Sequence, residues 1–69
     1  MDMETDNWVL EAIRFHNTKG ANVASIIEYI DYRDHFRYEA GEIEAALQRL
    51  SKDSKVTLRD GSYFLANEI

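Results

Sequence analysis

The feature that most constrains this chain is Asp60-Gly61, set between two short runs of strand-forming residues, Lys55-Val-Thr-Leu58 and Ser62-Tyr-Phe-Leu65. Asp-Gly supplies the positive φ angles of a two-residue type I′ turn, whose twist matches that of paired antiparallel strands. A tight hairpin is therefore predicted at the C-terminal end. Alternation places Val56 and Leu58 on one face, with Tyr63 and Leu65 joining them and Phe64 turned outward. The segment feeding the hairpin, Glu39 to Leu50, carries large apolar residues at Ile43, Leu47 and Leu50. That i, i+4, i+7 spacing is the stripe of a helix with one buried face. Ser51 to Ser54 are read as the link.

Two more helices are predicted upstream. The first begins at Asp6 as N-cap and runs to His16. Trp8, Val9, Ala12, Ile13, Phe15 and His16 cover a broad arc of it, and Leu10 is left at the edge. An arc this wide suits a helix wedged between two neighbours; a dimer contact through Trp8 and Phe15 is the alternative. Gly20 is the expected left-handed C-cap, and Ala21 to Val23 a short strand against the hairpin. Asn22 caps the second helix, Val23 to about Asp31, with Val23, Ile26, Ile27 and Ile30 inward. The following stretch to Tyr38 interleaves Tyr32, Phe36 and Tyr38 with Arg33, Asp34 and Arg37. Phe36 and one of the tyrosines are expected to plug the end of the core while the arginines pair with Asp31 and Asp34; stacking on bases or gripping a peptide is the other reading.

With 69 residues the chain makes one domain, residues 6–66, between an acidic tail at 1–5 and a short tail at 67–69. A domain this small buries only about 60% of its unfolded surface. Cysteine is absent, so the core must hold by packing alone. No apolar run approaches the ~20 residues that span a bilayer, and no signal-peptide pattern opens the chain. The expectation is a cytoplasmic protein that does not meet a membrane.

Three helices, an Asn-capped second helix, the run Ile43-Glu-Ala-Ala-Leu-Gln-Arg-Leu50 and the closing Asp60-Gly-Ser-Tyr-Phe-Leu65 together resemble small bacterial winged helix-turn-helix domains. The fold class that follows is α+β, mostly α: three helices, a short strand after the first, and a two-stranded wing. The resemblance spans about Asp6 to Ala66. It implies that the third helix enters a DNA major groove and the wing touches the backbone. The groove-facing positions would be Gly41, Glu42, Glu44, Ala45, Gln48 and Arg49, with Lys55 and Arg59 on the hairpin.

The charges point elsewhere. The net charge is −5, and an acidic protein repels the phosphates that supply most non-specific nucleic-acid affinity. Glu39, Glu42 and Glu44 crowd the start of the third helix, where a reading helix meets phosphates and base edges. Gly41 and Ala45, four apart, leave a shallow strip on which another helix or backbone can lie. The favoured expectation is a protein-interaction or self-associating regulatory module contacting its partner through Gly41, Glu42, Glu44, Ala45, Gln48 and Phe64. The alternative is a DNA-binding regulator using Arg33, Arg37, Arg49, Lys52, Lys55 and Arg59. No nucleophile elbow, phosphate loop or zinc spacing is present, so no enzyme, cofactor, metal or small-molecule substrate is expected. Asp31, Asp34 and His35 are weak metal ligands on paper, three donors on one loop, and His16 is expected to be a partly buried core residue.

Overall fold

The computed structural model describes residues 3–66. Within them α1 (Met3–Phe15), α2 (Val23–Asp34) and α3 (Ala40–Lys52) are followed by an antiparallel hairpin, β1 (Val56–Arg59) and β2 (Ser62–Leu65). The register pairs Val56 with Leu65 and Arg59 with Ser62, leaving Asp60 and Gly61 as the turn, at φ 51° and 81°. These are the positive values a type I′ turn needs. Ala21 adds a single bridge to Tyr63: each backbone N–H donates to the other's carbonyl, at 3.0 and 2.8 Å. The hairpin is thereby tied to the junction between α1 and α2.

One core lies where the three helices meet. Val9, Ala12 and Ile13 of α1, Ile26 and Ile30 of α2, and Ile43, Ala46, Leu47 and Leu50 of α3 are all buried, and Val56 closes it from the hairpin. In each helix these positions recur three or four apart, so one face is apolar and burial follows from periodicity. Tyr63 and Leu65 pack on the same core, and Phe64 takes the opposite face of β2, as alternation requires. Among the described residues no helix is long and apolar enough to cross a membrane.

Several expectations need correction. Helix α1 begins at Met3, not Asp6, so residues 3–5 of the expected tail are helical and Thr5 is buried; residues 1–2 and 67–69 lie outside the described residues. Asp6 is used differently: its carboxylate leaves the helix start and binds Arg49. Helix α2 runs three residues beyond Asp31 and ends on His35, which takes a left-handed φ of 56°. Helix α3 absorbs Ser51 and Lys52. It ends as a Schellman motif, with Ser54 N–H donating to the Ser51 carbonyl, Lys55 N–H to that of Leu50, and Ser54 at φ 59°. Phe15, expected in the buried arc, is 67% exposed, because Val9, Ala12 and Ile13 already fill the seam against both neighbours. Leu58 shares a face with Val56 but is 55% exposed; alternation sets the face, and near the turn the core no longer lies opposite it.

Candidate functional site

Helix α3 starts from Glu39, whose backbone is extended (φ −86°, ψ 155°). The Glu42 carboxylate accepts a hydrogen bond from the Glu39 N–H at 3.0 Å, which satisfies one of the free donors at a helix start. Glu42 is therefore partly structural. With Ile43, Ala46, Leu47 and Leu50 turned inward, Gly41, Glu42, Glu44, Ala45 and Gln48 all face solvent. A Cβ placed on Gly41 would meet nothing within 4 Å. The strip formed by Gly41 and Ala45 is open. Phe64 is partly buried and lies away from this strip: its ring tip packs over Gly20, and the Arg59 guanidinium stacks on it at 4.4 Å.

Three of the six basic residues considered for nucleic acid face carboxylates of this chain. Arg49 binds Asp6 through two contacts, Nη2 to Oδ1 at 2.6 Å and Nε to Oδ2 at 3.2 Å, linking α3 to α1. This fork geometry is the strong form of the arginine–carboxylate pair. Arg37 pairs with Asp31 at 3.4 Å, as expected. Arg33 lies 3.8 Å from Glu11 of α1 and does not pair with Asp34; its Nη1 donates to the Tyr29 hydroxyl at 2.9 Å. Lys52, Lys55 and Arg59 remain, and none makes an ion pair with the described residues. Asp53 and Asp60 stand among them in sequence, and Lys19 joins Arg59 and Asp60 where the hairpin meets the turn after α1.

Tyr38 fills the role expected of an aromatic plug: it packs on the core, and its hydroxyl accepts a hydrogen bond from Thr5 at 3.1 Å. Phe36 meets the Tyr38 ring edge-on at 4.7 Å yet stays 51% exposed. Asp31, Asp34 and His35 do not assemble; among the described residues no group of three or more His, Asp or Glu is placed to hold a metal ion.

Sequence reasoning missed a second aromatic cluster. Tyr29 of α2 is buried, and Phe15 lies tilted against its ring at 4.9 Å, with His16 meeting Phe15 edge-on at 5.0 Å. The Tyr29 hydroxyl donates to Glu11 at 3.1 Å. Its pKa is raised above the ordinary value of 10.0, first by burial and then by that bond. Tyr32, one turn along α2, is 79% exposed. A partial signal existed: Tyr29 and Tyr32 recur at i, i+3 beside the aliphatic stripe of α2.

No protein-family model, curated protein or solved structure matches the chain.

Proposed function

We propose that the chain is a non-enzymatic winged-helix module whose third helix binds a protein. Three helices leading into an antiparallel hairpin, with Ala21 bridged to its second strand, support the winged-helix reading. The observation that carries the protein partner is the Arg49–Asp6 pair. It turns the one cation of the middle of α3 toward α1. The outward face up to Gln48 then offers Glu42, Glu44, Gly41 and Ala45, with no positive side chain to meet a phosphate. Nucleic-acid affinity rests on phosphate neutralisation, and a carboxylate in that place opposes it. Small residues with acidic neighbours instead admit close approach of another backbone that carries complementary charge.

DNA binding is the second reading, favoured by Lys52, Lys55 and Arg59, which point no charge at an internal carboxylate. Titrating the isotopically labelled chain with mixed-sequence duplex DNA at low and moderate salt separates the two. The protein-partner reading expects the amide signals of α3 and the hairpin to stay in place at low salt. Shifts confined to α3 and the hairpin that fade steeply as salt rises would replace it with the DNA reading, since counterion release makes phosphate binding salt-dependent.

A further inference from the structure

A groove of about 270 Å³ runs between the end of α1 and the outward side of α2, on a different surface from the exposed strip of α3. Phe15 at the end of α1 and His16 just after it line one side; Glu28, Tyr29, Tyr32 and Arg33 line it from α2. Its walls are mainly aromatic. Phe15 and Tyr32 are among the most exposed large apolar side chains in the molecule, at 67% and 79%. Exposed aromatics gathered on one face, against a floor already fixed by Tyr29, form a surface that gains from being covered.

The charges around it select the occupant. Arg33 is already matched: it faces the Glu11 carboxylate at 3.8 Å, bonds the Tyr29 hydroxyl and lies over the Tyr29 ring at 5.7 Å. Glu28 has no such partner among the described residues, is exposed, and lies one turn before Tyr32 on the same side of α2. The groove therefore combines open π faces with one uncompensated carboxylate, inside a chain of net charge −5. A lysine or arginine satisfies all three: its head group meets Glu28, its cation lies on an aromatic face, and its methylenes cover the ring. A second copy of the chain fits poorly, because it would bring another net charge of −5 to this face. Phosphate is repelled for the same reason.

We propose that this groove is a docking site for a basic segment of another protein, a lysine or arginine flanked by an apolar side chain, with Glu28, Tyr32 and Phe15 as its main contacts. The site is separate from the α3 face, so either can fail without the other. The probe is a short amidated peptide of alternating lysine and leucine, titrated into the isotopically labelled full chain at low salt. Saturable shifts are expected at the amides of Phe15, His16, Glu28 and Tyr32. Glu28→Lys should weaken binding about fivefold or more, as expected when an exposed attraction becomes a repulsion. Tyr32→Ala should weaken it roughly two- to fivefold through loss of an exposed cation–π face. Both positions are exposed on α2, and unchanged thermal unfolding of each variant confirms that the fold is kept. The proposal is overturned if a glutamate–leucine peptide binds equally well, or if Glu28→Lys leaves the affinity unchanged. Shifts that gather on α3 would also overturn it while leaving the α3 reading intact. So would shifts of the groove amides on raising protein concentration without peptide, which would assign the face to a second copy.

Discussion

Two of the glycines respond oppositely to the same substitution, and each response follows from what surrounds the residue. Gly20 ends the turn after α1 at φ 90°, and its N–H donates to the His16 carbonyl at 2.6 Å. A Cβ there would lie 2.5 Å from Ser62 Cβ and 2.7 Å from the tip of Phe64. The Phe64 ring can swing; Ser62 Cβ is fixed to strand β2 and cannot. Gly20→Ala should therefore destabilise by about 2–4 kcal/mol, from backbone strain together with displacement of the hairpin. Gly41 lies in the first turn of α3 with open space where a Cβ would go. Gly41→Ala should stabilise by about 0.5 kcal/mol, because alanine loses less backbone entropy in a helix. Urea unfolding of the two variants beside the parent chain measures both signs. A harmless Gly20→Ala would mean that the hairpin does not press on the turn as described.

Between elements, α1 and α2 are joined by more than apolar packing. Glu11 accepts from the Tyr29 hydroxyl, and that hydroxyl accepts from Arg33. Because the folded chain raises the Tyr29 pKa, folding favours the protonated phenol. The stability this contributes is complete below the unfolded value near 10 and is lost as pH rises through the folded value. Tyr29→Phe should cost about 1 kcal/mol at neutral pH for the two hydrogen bonds. That deficit should shrink above pH ~10, while the other tyrosines titrate equally in both proteins and cancel. A deficit that holds constant to pH ~11 would show that the Tyr29 phenol is not held protonated by folding. The same pair of elements shows which parts of the structure were legible in the sequence. The aliphatic stripes of α2 and α3, the Asn22 cap and the Asp60-Gly61 turn are written in local spacing, and each forms where expected. Helix ends were misjudged where a non-glycine takes the left-handed position, as His35 and Ser54 do, because nothing local marks them. Asp6 carried a valid capping signal, but its partner is Arg49, far along the chain, and a tertiary ion pair leaves no trace in local pattern. The α3 face was legible because it is the complement of a clear stripe. The groove beside Phe15 was not, since a wide apolar arc does not say which of its members the core has room for.

At the scale of the whole molecule the question is whether the hairpin is an appendage or part of the folding unit. An isolated two-stranded hairpin is marginal in water, and a domain of this size has little stability to spare. Here the hairpin is held at three places. Ala21 and Tyr63 exchange backbone hydrogen bonds, the Leu65 N–H donates to the Asn17 side chain at 3.1 Å, and Lys55 N–H closes the end of α3. Val56, Tyr63 and Leu65 fill the side of the core that the helices leave open. The radius of gyration, 10.7 Å, is close to the ~11 Å of a compact domain this long, which leaves no room for a splayed hairpin. Helices and hairpin should then unfold as one unit, because removing either exposes the aliphatics of the other. Native-state hydrogen exchange tests this directly. The Tyr63 amide, bonded across to Ala21, should exchange with the same opening free energy as the Ile30 and Leu47 amides in α2 and α3. If Tyr63 exchanged orders of magnitude faster while those helical amides stayed protected, the hairpin would be an independently opening arm, free to move against a partner instead of a fixed wall of the core.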